Sequence, residues 1–247
     1  MKKILSIALI LAGFVMAQGF GDLIDKADAK YDDDDFPTTY ELLGQAEQLE
    51  PDNFEVIWSL ARVHWALSDN SEDEAVISEN IYAGFDYAKR ALEMDENRAE
   101  SHKWYGILIG RVGELEGTKQ KILNSYEVKE HTLKALELDP EDDGNFHVMG
   151  RWHYTLADLS FFARKIAGLI YAKPPKASFP EAAEYFQQAI DLAPDEIRHY
   201  VWLGKTYEEL KDKDAAINAY NAALAITAEN DSDRILQKEA QELLSKK

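Results

Sequence analysis

The chain contains no cysteine, and this absence excludes disulfides, thiolate catalysis and thiolate metal ligands together. Basic residues are also scarce, because 27 Lys and Arg stand against 46 Asp and Glu and give a formal net charge of −19. Phosphate contacts need a basic surface, so we expect no nucleic-acid partner. The hydrophobic content of 46% is enough for a continuous core. Packing alone must therefore hold the fold.

Catalytic and metal-binding motifs are missing as well. The six histidines are scattered, with no HExxH motif and no histidine pair backed by a carboxylate at ligand spacing. The segment that begins at Asp139 resembles a calcium loop, but its twelfth position is Gly150 and not a bidentate acid. There is no phosphate-binding glycine loop followed by Lys-Ser/Thr, and no nucleophile elbow. We therefore expect a non-enzymatic protein with no cofactor and no metal.

The N-terminal segment has the pattern of a bacterial-type export signal. Lys2 and Lys3 precede an uncharged apolar run from Ile4 to Ala17. We expect residues 1–17 to be removed, so that the mature protein begins at Gln18 and is periplasmic or secreted. Retention as a membrane anchor is the alternative, although the run is short for a bilayer span. Removal takes away two lysines and no acid, so the formal charge changes from −19 to −21.

A short helix-end phrase recurs five times, at successive spacings of 45, 44, 54 and 34 residues. The five occurrences are Ala46–Pro51, Ala91–Glu96, Ala135–Pro140, Ala189–Pro194 and Ala223–Ala228. Such self-similarity is typical of a solenoid of stacked helix pairs. The last repeat has small Gly204 and Ala216, with aromatic Tyr207 and Tyr220, at the positions of the tetratricopeptide pattern of about 34 residues. The chain is therefore predicted to be all-α, an α-solenoid of about five tetratricopeptide-like helix pairs with insertions and a C-terminal capping helix.

The repeat spacing predicts one repeat domain over residues 18–247. Its units are approximately 20–53, 54–98, 99–142, 143–196 and 197–230, followed by a capping helix at 231–247. Three units are stretched between the two positions where the helices of a pair approach most closely. Counted from Ala61, Leu108 and Gly150, the extra lengths are 11, 8 and 20 residues. These lengths predict insertions in the second, third and fourth units.

The middle of the chain, from His102 to Tyr207, contains a series of distinctive short phrases. They are His102–Tyr105, Glu116–Gly117 with Lys119, Lys129–His131, Met149–Trp152 with Tyr154, Arg164 with Ile166–Ala167, Pro174–Pro175 and Leu203–Tyr207. Through these phrases the chain resembles the regulator of microtubule dynamics family. The resemblance implies a tetratricopeptide-like helical domain. Animal relatives are associated with microtubules and mitochondria, and related domains at organelle contacts bind phospholipid. Because an exported bacterial protein meets no microtubules, we expect only the fold and the groove chemistry to carry over.

The predicted concave face of the solenoid is rich in cations and aromatic rings. Positions 2, 5, 9 and 12 of each first helix follow one helical stripe toward that face. The groove residues predicted in this way are Trp58, Arg62, Trp65, His102, Tyr105, His147, Arg151, Tyr154, Arg198 and Lys205. This composition suits an anionic ligand with an apolar part. We expect a scaffold that binds a partner protein or peptide in the groove. The alternatives are a carrier of phospholipid or fatty acid, or a register shift that buries these aromatic residues between helices.

A stretch of 22 residues between Asp158 and Glu181 contains no acid. Apolar residues recur in it at helical spacing, which predicts an amphipathic basic helix at 159–171. The residues predicted to form a lid over the groove or a membrane contact are Phe162, Arg164, Lys165, Ile166 and Leu169. As a lid, the helix would cover an anionic lipid in the groove. As a membrane contact, it would lie on an anionic surface. The structural alternative is an extra helix packed permanently against the solenoid.

Overall fold

The computed structural model describes residues 19–170 and 172–246, with the side chains of Phe161, Phe162 and Ile166 excepted. The predicted export signal and its cleavage site before Gln18 lie outside the described residues. Across those described ranges the chain forms helices and turns and no strand, so the predicted all-α fold is confirmed. No helix in the described part combines the length and the apolar character needed to cross a membrane.

Twelve helices follow one another in the described residues. They are α1 (19–32), α2 (Phe36–Leu49), α3 (Phe54–Asp69), α4 (Glu74–Met94), α5 (Ala99–Glu116), α6 (Thr118–Leu138), α7 (Asp143–Ala157), α8 (Phe161–Ile170), α9 (Phe179–Leu192), α10 (Ile197–Glu209), α11 (Lys213–Ala225) and α12 (Asp231–Leu244).

The chain divides into two compact units, which meet in sequence between Met94 and Asp95. In the first unit α3 packs on both α2 and α4, around a core that includes Leu43, Val56 and Leu60. In the second unit the packed pairs are α5 with α6, α7 with α9, and α10 with α11. Helix α8 is inserted within the α7–α9 pair, which explains the stretched spacing there.

Helix α12 closes the second unit as the predicted cap. It contacts α10 and α11, and its Ala240 is buried with the core of the last pair. The Gln237 side-chain amide donates to the backbone carbonyls of Ala223, at 3.2 Å, and Ile226, at 2.7 Å. These bonds satisfy carbonyl groups at the end of α11 that have no partner within their own helix. The cap therefore covers apolar surface and a helix terminus together.

Small residues at the eighth position of the first helix let each pair approach closely. A Cβ atom added at Gly150 would lie 2.6 Å from Phe186 of α9, and one added at Gly204 would lie closer still to Tyr220 of α11. In the third pair the eighth residue of α5 is Gly106, where an added Cβ would lie 3.1 Å from Thr132 of α6. The register counted from Leu108 is therefore wrong by two residues. Leu108 is instead a buried core residue of α5.

Candidate functional site

Helices α7 and α10 bring cations and aromatic rings together around the indole of Trp202. The guanidinium carbon of Arg151 lies 4.0 Å from the centre of the Trp202 ring, and Lys205 Nζ lies 4.3 Å from it. The Tyr154 ring meets Trp202 edge to face, with centroids 5.4 Å apart. A cation over an indole is attracted by the negative face of the ring. We call these four residues, Arg151, Tyr154, Trp202 and Lys205, the Trp202 cluster.

The cluster follows from the spacing of its residues along two neighbouring helices. Arg151 and Tyr154 are three residues apart on α7, and Trp202 and Lys205 are three apart on α10, so each pair shares one helical face. The Phe186 ring of α9 stacks on the Trp202 indole, with centroids 6.3 Å apart. Phe186 itself is fully buried. The α7–α9 pair thus sets the position of the Trp202 ring.

A chain of hydrogen bonds links α7 and α10 beside the cluster. Asp143 Oδ2 lies 2.8 Å from His199 Nε2 and 3.3 Å from Arg198 Nη2. His199 Nδ1 lies 2.9 Å from His147 Nδ1, and both rings are buried. An ionised Asp143 can only accept, so His199 donates to it from Nε2. Of the two facing Nδ1 atoms of His147 and His199, one donates and the other accepts.

The electrostatic environment of His147 is cationic. Burial lowers the pKa of His147 well below its usual value, and the positive charges of Arg198, His199, Arg151 and Lys205 lower it further. His147 is therefore neutral at physiological pH. Three permanent cations from two helices act on one buried ring, which is the setting in which an added anion would be stabilised.

Carboxylates accompany Arg198 and Lys205. Burial by itself would raise the pKa of Asp143, but the hydrogen bond from His199 and the charge of Arg198 outweigh it and lower the pKa to about 2. Asp143 is therefore ionised next to Arg198. Lys205 Nζ lies 2.7 Å from Oε1 of Glu239, which belongs to the capping helix α12.

The predicted groove residues of the first unit lie on α3 and are held by local contacts. Arg62 lies over the rings of Tyr31, at 4.0 Å, and Trp58, at 5.0 Å. Its Nη2 is also 2.6 Å from Oδ1 of Asp28 on α1. Trp65 packs against the core of the first unit. The charge of Arg62 is thus balanced within its own unit.

Two predicted groove residues of the third pair, His102 and Tyr105, contact the partner helix α6. His102 Nδ1 lies 2.8 Å from His131 Nδ1, and the Tyr105 hydroxyl donates to Glu127 at 2.6 Å. Their place follows from the register of α5, in which Gly106 and not Leu108 is the eighth residue. Counted from Ala99, the stripe contains Lys103 instead.

The sequence-based stripe also missed Trp202, the centre of the cluster. Trp202 occupies position 6 of its repeat, next to the expected position 5, which is the buried Val201. A usable signal was present, because Trp202 lies four residues after Arg198 and three before Lys205 and shares their helical face.

Helix α8 is tied to its surroundings through Arg164. The guanidinium donates to the backbone carbonyl of Leu156, at the end of α7, and to that of Pro175 at 3.5 Å. Ala167 is buried. One side of α8 is therefore held by hydrogen bonds and packing.

The other predicted lid residues differ from Arg164. Lys165 is exposed and Leu169 is 78% exposed. The side chains of Phe162 and Ile166 are outside the described part of the structure. The helix begins at Phe161, two residues after the predicted start at 159, and is described as far as Ile170.

A separate surface cavity of about 420 Å³ lies between the loops before α10 and before α12. Its lining includes Asp195, Glu196, Glu229 and Asp233, so it would repel the anions that suit the Trp202 cluster. Among the described residues, no group of three or more His, Asp or Glu is arranged to hold a metal ion.

Comparison with known sequences identifies relatives over nearly the whole chain. A profile of the family described as "RMD1-3: Regulator of microtubule dynamics protein 1-3" matches residues 23–247. Regulator of microtubule dynamics protein 1 of Mus musculus is 38% identical over 228 residues, covering 91% of this chain and 73% of the relative. The Homo sapiens protein of the same name is 40% identical over 192 residues, covering 76% and 60%. Regulator of microtubule dynamics protein 3 of Xenopus laevis is 32% identical over 196 residues, covering 79% and 42%.

Comparison with solved structures supports the repeat fold. A thermophilic tetratricopeptide protein of Thermus thermophilus superimposes with a TM-score of 0.69 at 13% identity, covering 90% of this chain and 99% of the other. PilF of Pseudomonas aeruginosa gives a TM-score of 0.57 at 13% identity, covering 93% and 86%. At these identities the likeness concerns the fold alone.

Proposed function

The chain belongs to the regulator of microtubule dynamics protein 1-3 family, and from this membership and its site we propose a non-enzymatic scaffold that binds an acidic segment of a partner protein at the Trp202 cluster. The carrying observation is that Arg151 and Lys205 lie within 4.0 and 4.3 Å of one indole centre. Cations supply carboxylate contacts and the indole supplies an apolar surface, and Arg and Trp are both enriched where partner proteins bind most tightly.

The contact between Lys205 and Glu239 supports this ligand chemistry. Glu239 is a carboxylate from a different helix, and its oxygen lies 2.7 Å from Lys205 Nζ. The pair is only partly buried, and ion pairs at protein surfaces typically contribute below about 1 kcal/mol, so it can be exchanged at small cost. A carboxylate of a partner could therefore replace Glu239 at Lys205 and reach Arg151 across the same ring.

The test uses an array of synthetic peptides rich in Asp and Glu, with matched peptides in which the acids are replaced by amides. We expect the purified protein to bind the acidic peptides selectively. Reversing both cluster cations, with Arg151→Glu and Lys205→Glu, should weaken that binding at least about ten-fold, because each lost charge-assisted contact is worth roughly 1.5–3 kcal/mol. The control carries the same charge change at exposed Lys26 and Lys238. Equal binding of amide and acidic peptides would refute the proposal.

A lipid carrier is the second candidate, and the aromatic side of the site favours it. Tyr154 contacts both Trp202 and Phe179, with ring centroids 5.4 Å apart in each case. This aromatic surface could pack against an acyl chain while the cations bind an anionic headgroup. Organic extraction of the purified protein, followed by mass spectrometry, separates the two candidates. A carrier should bring lipid in near-equimolar amount, whereas a peptide scaffold should bring none.

For the setting of this activity we propose export, with the protein periplasmic or secreted. The relatives' names refer to microtubules, which an exported bacterial protein would not meet. We therefore expect no co-sedimentation with polymerised tubulin. Specific co-sedimentation that the Arg151→Glu/Lys205→Glu variant loses would instead assign the cluster to microtubules.

A further inference from the structure

The end of α8 exposes two consecutive large apolar side chains. Leu169 is 78% exposed, more than any other large apolar side chain in the described residues, and Ile170 is 64% exposed. A single exposed leucine is ordinary in a protein surface. Two adjacent ones at the tip of a helix leave apolar surface in water without packing to compensate for it.

The same segment is a basic island in an acidic chain. Between Asp158 and Glu181 there is no acid, whereas the whole chain carries a formal charge of −19. Lys165, Lys173 and Lys176 are all exposed. The cations therefore flank the apolar tip on both sides in sequence.

The tip is presented by an anchored segment. Arg164 donates to the carbonyls of Leu156 and Pro175, and the Tyr126 hydroxyl of α6 donates to the carbonyl of Lys173. Pro174 is buried. Because the base of the segment is fixed, the exposed tip is already arranged for contact and ordering it costs little.

We infer that the end of α8 is a contact site for anionic lipid bilayers, where Leu169 and Ile170 enter the boundary between headgroups and acyl chains while Lys165 and Lys173 meet the headgroups. A stable protein interface buries roughly 1,200–2,000 Å², far more than two side chains can supply. A bilayer needs no matching pocket, and it accepts an apolar tip with flanking lysines. This inference is independent of the Trp202 cluster and of what binds there.

The first test removes the apolar tip. Binding to phosphatidylcholine vesicles, with and without phosphatidylserine, is measured by flotation, and thermal melting confirms folding. The wild-type protein should bind the anionic vesicles selectively, and Leu169→Asp/Ile170→Asp should lower the partition coefficient at least about ten-fold. The control is Ile235→Asp on α12, because Ile235 is also 64% exposed but lies outside the basic island. An unchanged partition coefficient for the double variant would overturn the inference.

The second test concerns the lysines. Each lysine near an anionic surface is worth about 1 kcal/mol, or about five-fold in binding, so Lys165→Gln and Lys173→Gln should each weaken binding by that factor. Lys238→Gln on α12 should have no effect. Equal binding to neutral vesicles would contradict the charge argument. Loss of vesicle binding in the Arg151→Glu/Lys205→Glu variant, with α8 variants unaffected, would overturn the inference and assign lipid to the Trp202 cluster.

Discussion

Replacement of Gly150 by alanine tests the close packing on which the Trp202 cluster rests. The added Cβ would lie 2.6, 2.7 and 2.8 Å from three ring carbons of Phe186. Carbon atoms are normally separated by about 3.5–4.0 Å, so each contact is too short by roughly 0.7–1.4 Å. Phe186 is 0% exposed, and the ring therefore has no solvent side toward which it can move.

Two opposing effects set the magnitude. Overpacking a rigid core costs about 1–3 kcal/mol, whereas alanine is better than glycine in a helix by about 0.8–1.0 kcal/mol. Because three ring atoms clash at once, the cost belongs in the upper part of its range. We expect Gly150→Ala to lower the free energy of unfolding of the second unit by about 1–2 kcal/mol. Gly44→Ala in α2 is the control, since no atom lies within 4 Å of its added Cβ.

Hydrogen exchange measured by mass spectrometry reports each unit separately. Gly150→Ala should speed exchange in α7 and α9, whereas Gly44→Ala should slow it in α2 or leave it unchanged. Phe186→Leu should lower the free energy of unfolding less in the Gly150→Ala variant than in the wild-type protein. The difference should be about 1 kcal/mol or more. Equal stabilisation by Gly150→Ala and Gly44→Ala would refute close packing at Gly150. Additive effects of Gly150→Ala and Phe186→Leu would refute it as well.

Three further results are expected. The free energy of unfolding should fall as the pH drops below about 6.5, by up to roughly 1.4 kcal/mol per pH unit from His147, because the unfolded chain then binds a proton that folded His147 with its lowered pKa does not. In urea titrations, His147→Gln should reduce the dependence of the free energy of unfolding on pH. An unchanged dependence would contradict its assignment to His147. Ser178→Ala should destabilise α9 by about 1 kcal/mol, because Ser178 Oγ caps the amide of Glu181, and Ser178→Gly should cost only a few tenths. The mature N-terminus should be Gln18 by Edman sequencing, and a soluble protein that retains residues 1–17 would contradict export.

The sequence alone was sufficient for the fold class and for the family. Helical periodicity, small residues such as Gly204 and the repeated helix-end phrases are local features, and each repeat must stack on its neighbour to bury its apolar face. The all-α repeat fold follows from them without any knowledge of long-range contacts. The capping helix follows in the same way, because α12 is apolar on one face only.

Tertiary structure decided which of these residues meet. The register of α5 depends on whether Gly106 or Leu108 faces α6, and an insertion of unknown shape hides that choice from a count along the chain. The place of Trp202 depends on α7 and α9 as well as on its own helix, so repeat position alone did not select it. Amphipathic spacing placed Leu169 on an apolar face of α8, but only packing determines whether such a face is covered. Periodicity specifies a face of a helix, whereas its neighbours determine what that face contacts.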